Sequence, residues 1–177
     1  MTNPKEIVKQ AKGILPTITY AFFFNEIAGK SEDYSLEALK DQLKLIEEEV
    51  KELREALEVN NPVETVDAVV DIQVVLSGMQ QLLANAGIDV SLAGKLVTEN
   101  NLSKFTPDVD VAYATVKSYK EKGIDCFIHH HEVSDLYVVK DTSNKVRKPV
   151  GFKAVELTET VPTKLRQEGF KSEYRLT

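Results

Sequence analysis

Residues 46–53 read Ile-Glu-Glu-Glu-Val-Lys-Glu-Leu, and residues 66–78 read Val-Asp-Ala-Val-Val-Asp-Ile-Gln-Val-Val-Leu-Ser-Gly. The first stretch carries an E-E-x-x-E block made of Glu48, Glu49 and Glu52. The second sets Asp67 and Asp71 into a run that is otherwise almost wholly apolar. Carboxylates on a helix that turns into a core cost several kcal/mol unless something compensates them. Clustered carboxylates are compensated most simply by a divalent cation, and hard oxygen donors in this number suit Mg²⁺ or Mn²⁺.

Working outward, Leu39, Leu43, Ile46, Val50, Leu53 and Leu57 recur at spacings of three and four, which predicts an amphipathic helix over 35–58 with Ser35 as its N-cap. Glu49 and Glu52 flank that apolar stripe and, at i and i+3, bring their side chains together. Glu47 and Glu55 point away from it. Asn61-Pro62 then opens a second, more apolar helix over 62–86, with Gly87 as its C-cap. Asp67 lies about 40° and Glu64 about 20° from Asp71 around this helix. The face they share continues into Val74, Val75, Gly78 and Leu82. If the two helices pack antiparallel, the four carboxylates of Glu49, Glu52, Asp67 and Asp71 converge. Glu64 also occupies the third helical position after Asn61, the place of a capping-box acid, so either Asp67 or Glu64 stands as the fourth ligand.

The chain has 177 residues, 42% apolar and 28% charged, with a net charge of −6. These values fit a globular protein with a real core and argue against a general nucleic-acid or membrane-surface binder. The single cysteine, Cys126, permits no internal disulfide and reads as a small buried residue. Met1–Lys12 lacks the pattern of a signal peptide, and the apolar stretch Val66–Leu76 is interrupted by polar residues and too short to span a bilayer. The expected location is cytoplasmic.

Toward the N-terminus, residues 4–29 suggest a helix broken at Gly13 or Pro16, with the aromatic cluster Tyr20–Phe24 reading as core packing. Beyond Gly87, helices are predicted from Ser91 to Asn100 and over 109–122. Short strands follow at Cys126–His130 and Leu136–Lys140, with a turn at Asp141–Asn144. His129, His130 and His131 alternate faces in a strand and read as surface residues of a hairpin. Lys145, Arg147 and Lys148 read as a solvated hairpin edge. The expected architecture is all-α, with a helical domain over 1–106 and a C-terminal extension over 107–177 that holds a helix and a small hairpin or arm.

The ordered set Glu48-Glu-Val-Lys-Glu52-Leu, Val66-Asp-Ala-Val-Val-Asp71 through Gly78, Ala86-Gly-Ile-Asp89 and Asn101-Leu-Ser-Lys104-Phe resembles the MazG-like all-α nucleoside triphosphate pyrophosphohydrolases. Phage-type and phosphoribosyl-ATP-pyrophosphohydrolase-like members look most similar, and Asn144-Lys-Val-Arg-Lys-Pro149-Val-Gly-Phe152 is similar to the extension of the phage type. The family usually writes its second motif as E-x-x-D. Here Asp71 holds the Asp position, Ala68 stands where the Glu would be, and the acid is displaced to Asp67. The resemblance implies a four-helix core completed in a homodimer or homotetramer, and Mg²⁺-dependent cleavage of (d)NTP to (d)NMP and pyrophosphate. It implies Glu49, Glu52, Asp67 and Asp71 as metal ligands and Glu48 as the residue that orients or deprotonates the attacking water. Asn101 and Lys104 would contact the substrate. The same fold also accommodates dUTPase-, dCTPase- or phosphoribosyl-ATP-type substrates, or a non-catalytic nucleotide-binding or assembly module.

Overall fold

The computed structural model describes residues 19–29 and 34–171. The chain is mostly helical, with one small two-stranded hairpin. It divides into two compact units, one built from 1–90 and 160–177 and the other from 91–159. These divide the chain elsewhere than the expected 1–106 and 107–177. The reason is non-local pairing: the Thr160 carbonyl accepts from Asp89 N–H (2.9 Å) and the Lys171 carbonyl from Leu36 N–H (2.7 Å), so the end of the chain returns to the first helices. On the other side of the division, Asn100 Nδ2 donates to the Lys153 carbonyl (2.7 Å) and Thr106 bridges Tyr137, which ties the end of the fourth helix to the hairpin unit.

In the first unit, α1 is helical over 19–27 and gives way to a turn at 28–29, short of the expected end, while residues 4–18 of the expected helix lie outside the described residues. Helix α2 (Leu36–Glu58) starts at Ser35, whose hydroxyl accepts from Ala38 N–H (3.1 Å). Helix α3 (Pro62–Asn85) starts at Asn61, whose side chain accepts from Val63 and Glu64 N–H, with Pro62 at the first helical position where its missing N–H costs nothing. The reversal between them is tight: Asn60 takes a left-handed φ of 52°, which Asn tolerates better than most residues, and Asn61 N–H donates to the Ala56 carbonyl (2.9 Å). That bond occupies the donor a capping-box Glu64 would have used, so Glu64 does not complete the box. Ala86 closes α3, and Gly87 follows at φ 82°.

So short a connection makes α2 and α3 antiparallel neighbours, and they pack along their length. Gln42 Nε2 donates across the pair to the Val75 carbonyl (2.7 Å). A Cβ on Gly78 would lie 2.8 Å from the same nitrogen, so Gly is what permits this approach. The buried residues of the pair are Leu39, Ala56, Ala68, Ser77, Gly78 and Leu82. Much of the remaining apolar surface is bare: Val63, Val66, Val69 and Val70 of α3 are exposed, Val66 by 65%. Tyr20, Phe23 and Phe24 of α1 are exposed too, contrary to the expected core packing, because Ala21 alone on this helix is buried. With 24 residues and an 18-residue window of mean hydropathy 1.2, α3 is long and apolar enough to cross a membrane, which the shorter Val66–Leu76 stretch is not. Asp71, on the flank toward α2, is instead the mark of a helix that serves polar neighbours.

In the second unit, α4 (Val90–Leu102) precedes α5 (Val109–Lys120), which Asp108 caps through bonds from Asp110 and Val111 N–H. Strands β1 (Cys126–His131) and β2 (Leu136–Asp141) pair antiparallel from Cys126↔Asp141 to His131↔Leu136, α5 packs on them, and Val138 and Val139, on opposite faces of β2, are both buried. Thr115 is fully buried: its hydroxyl donates to the Val111 carbonyl (2.7 Å) and accepts from Val150 N–H (2.9 Å), pinning the segment after the hairpin. A short 3₁₀ turn (Thr158–Thr160) and α6 (Thr163–Glu168) lead back to the first unit.

The buried Asp141 organises the turn after β2. Its carboxylate accepts from the Ser143 hydroxyl, from Ser143 and Lys145 N–H, and from the Arg147 guanidinium. The Ser143 hydroxyl bond leads the effects that hold its pKa at about 2, below the ordinary 3.8. A carboxyl lowered in the folded state stabilises it above the unfolded pKa and loses that contribution as pH falls through the folded value. Acid titration followed by near-UV circular dichroism is therefore expected to show loss of hairpin order between about pH 4 and pH 2. Asp141→Ala should be disordered there already at neutral pH.

Candidate functional site

Glu49 is half-buried on the flank of α2 that faces α3. Its Oε2 is sealed from solvent and has no hydrogen-bond partner among the described residues. Its carboxyl pKa is raised, first by burial and then by the negative charges of Glu52, Asp71, Glu48 and Asp67, in that order. The local sequence explains this. The antiparallel register that sets Gln42 against Val75 and Gly78 sets Glu49 against Asp71, one helical stretch further along. Glu52 is one turn on from Glu49, and Asp67 one turn back from Asp71. Asp71 is half-buried, and Glu48, Glu52 and Asp67 are exposed. Glu64, also exposed, is not among the charges that act on Glu49.

Folding has thus placed a sealed, unpaired carboxylate oxygen inside a ring of like charge. An arrangement of this kind is destabilising by itself and is relieved by a cation. The donor set is all carboxylate oxygen, the chemistry of Mg²⁺ or Mn²⁺. Among the described residues no three acidic, His or Cys side chains close on one point as a finished metal site. The orphaned oxygen and the acid-only surroundings fit a divalent cation. Glu49 and Asp71 would hold it from the helix interface, and the exposed Glu52 and Asp67 would be drawn in from the rim.

Asn101 and Lys104 lie in the second unit, at and just beyond the end of α4, where Lys104 Nζ donates to Asn101 Oδ1 (2.7 Å). The histidines stay on the hairpin surface: His130 stacks on Tyr137 (4.4 Å between centroids) and pairs with Asp135 (2.9 Å), and His131 Nδ1 meets the Ser134 hydroxyl (2.8 Å). Burial pushes the Cys126 thiol up, away from a nucleophile's range. Within the basic run, Arg147 is bound to Asp141, and Lys148 lies over the Phe152 ring (5.1 Å).

One feature escaped the sequence reading. Two helical turns along α2 and α3 from Glu49 and Asp71 lies a cavity of about 290 Å³ lined by residues that include Gln42, Gly78 and Gln81. The signal for it was the amide of Gln81 inside the most apolar helix.

Residues 22–93, which carry all five of these acids, match the family model described as phosphoribosyl-ATP pyrophosphohydrolase. This helical segment belongs to the MazG-like superfamily. The match covers less than half of the chain and supports pyrophosphohydrolase activity for the MazG-like segment. Searches of curated proteins and of solved structures found no match.

The folded state of the MazG-like unit holds the Glu49 proton more tightly than the unfolded chain does. The stability this contributes is complete below the ordinary carboxylate pKa and is lost as pH rises through the raised value. At neutral pH without metal, Glu49→Gln is expected to melt at or above the wild-type temperature. Mg²⁺ should raise the melting temperature of the wild type and raise that of Glu49→Gln far less. Differential scanning calorimetry with EDTA and with Mg²⁺ measures both, and an undiminished Mg²⁺ shift in the variant would remove Glu49 from the site.

Proposed function

We propose that the protein is a Mg²⁺- or Mn²⁺-dependent pyrophosphohydrolase that cleaves (d)NTP between the α- and β-phosphates, giving (d)NMP and pyrophosphate. The observation that carries this reading is the sealed Glu49 oxygen surrounded by the charges of Glu48, Glu52, Asp67 and Asp71. A bound divalent cation would supply charge neutralisation for the phosphates and a lowered pKa for water. The residues of the chain do the rest. Glu49, Glu52, Asp67 and Asp71 would hold the cation at the α2–α3 interface, where it would neutralise the phosphates. Glu48, on the solvent side of Glu49, orients the attacking water and takes its proton at a carboxylate oxygen. The family description favours a second reading on the same site, phosphoribosyl-ATP as the substrate, which would be cut at the equivalent bond.

The bare valines of α3 support a homo-oligomer, a dimer or tetramer in which a second copy covers Val63, Val66, Val69 and Val70. Light scattering is expected to give a multiple of 19.8 kDa, reduced toward one chain by Val66→Glu. A wild-type species of 19.8 kDa would refute this part.

The central test is pyrophosphate release from the canonical (d)NTPs and phosphoribosyl-ATP with Mg²⁺ or Mn²⁺. Glu49→Ala and Asp71→Ala are expected to lower kcat/KM about 100-fold or more. Variants that retain full metal-dependent turnover would overturn the assignment.

A further inference from the structure

Strand β1 places Phe127, His129 and His131 on one face and Cys126, Ile128 and His130 on the other, because successive side chains alternate. The pairing with β2 sets Lys140, Val138 and Leu136 opposite the first three. His129 and His131 are both exposed. Residues two apart on an extended strand have Cα atoms about 7 Å apart. Two nitrogens bound to one metal ion, each at about 2.0–2.1 Å, stand about 3 Å from one another. Two imidazoles that lean toward each other over the intervening residue close that difference.

The hydrogen bonds of the turn supply a second, independent observation. His131 Nδ1 meets the Ser134 hydroxyl at 2.8 Å, and Ser134 N–H donates back to the His131 carbonyl (3.2 Å). The ring is thus held through Nδ1, and Nε2 lies on the side away from Ser134. A histidine anchored through one nitrogen with the other left for a ligand is the arrangement that metal-binding histidines show. His129 has no hydrogen-bond partner among the described residues. His130 is engaged on the opposite face, where its Nε2 pairs with Asp135 (2.9 Å) and its ring stacks on Tyr137. Lys140, the one cation among the six residues of the His129 face, is opposite Phe127, a pair further from the turn than His129. Among the described residues no third His, Cys, Asp or Glu joins the two histidines, so water fills the other coordination positions.

We propose that His129 and His131 bind one divalent transition-metal ion as a two-nitrogen chelate on the exposed face of β1, Cu²⁺ most tightly and Ni²⁺ or Zn²⁺ less so. Ser134 is a positioning residue: its hydroxyl accepts from His131 Nδ1–H and leaves the lone pair on Nε2. Imidazole suits these ions, whereas Mg²⁺ prefers oxygen donors. The hairpin and the carboxylates of α2 and α3 therefore sort ions by donor chemistry. The inference does not depend on the hydrolase reading.

The test is calorimetric titration of the untagged full-length chain with Cu²⁺ and with Zn²⁺ at neutral pH, in saturating Mg²⁺ so that the carboxylates are occupied. Cu²⁺ is expected to bind more tightly than Zn²⁺. His129→Ala and His131→Ala should each lower the affinity about tenfold or more. His130→Ala should leave it unchanged, which separates this geometry from a mere excess of histidine. Ser134→Ala should weaken binding, and Ser134→Thr, which keeps the hydroxyl, should preserve it. Electron paramagnetic resonance of the Cu²⁺ complex should show nitrogen coupling that disappears in the His129→Ala, His131→Ala double variant. Near-UV circular dichroism of each variant checks that the hairpin is intact. Equal losses in His130→Ala and His129→Ala, undiminished binding in the double variant, or a Cu²⁺ signal without nitrogen coupling would overturn the proposal.

Discussion

A carboxylate oxygen of Glu49 is held out of water with four other negative side chains in electrostatic reach, and the rest of the first unit is organised around that constraint. Burial and these neighbouring charges raise the Glu49 pKa, and like charges this close oppose the compact state. What holds them together is the α2–α3 pair, closed by the reversal at Val59–Asn61 and fixed in register by Gln42 bonding to the Val75 carbonyl. Any slip of one residue would rotate Asp71 away from Glu49 by about 100°. The tight approach at Gly78 and the acid cluster are therefore two consequences of one register.

Much of this unit was legible in the sequence because its determinants are local. Ser35, Asn61 and Pro62 are residues whose chemistry marks helix starts, and both long helices begin at the caps the sequence indicated. Helical geometry alone separated Glu49 and Asp71, which are half-buried, from Glu47 and Glu55, which are exposed. The assignment of Glu64 to a capping box was not decided locally. The Asn61 N–H it needed is taken by the Ala56 carbonyl, a bond that exists only once the reversal has formed. The return of Thr160–Lys171 to the first helices was illegible for the same reason, since pairing across more than seventy residues leaves no periodic trace. The exposure of Tyr20, Phe23 and Phe24 shows the complementary limit: composition states that a residue prefers burial, and only the neighbours decide whether it is buried.

The cavity beside Gln81 shows a third kind of limit. Amides scattered along an apolar helix, as Gln73, Gln80 and Gln81 are in α3, are averaged away by any window that reads hydrophobicity. Gln81 becomes informative when the partner helix is in place and supplies Gln42 and Asp41, and α1 supplies Asn25. The same helices thus offer carboxylates at one level and carboxamides two turns away.

The weak amphipathicity of α3 follows from these demands. A helix that lays acids against α2 cannot also present a clean polar face outward, and among its other positions Val63, Val66, Val69 and Val70 are exposed in the single chain. Electrostatic interactions strengthen as water is excluded, so Glu49 and Asp71 would hold a cation more firmly the better these valines are covered. Cover for the apolar face and a low-dielectric setting for the acids are thus one requirement. A second chain lying on α3 would meet both, whereas solvation of that face would weaken both.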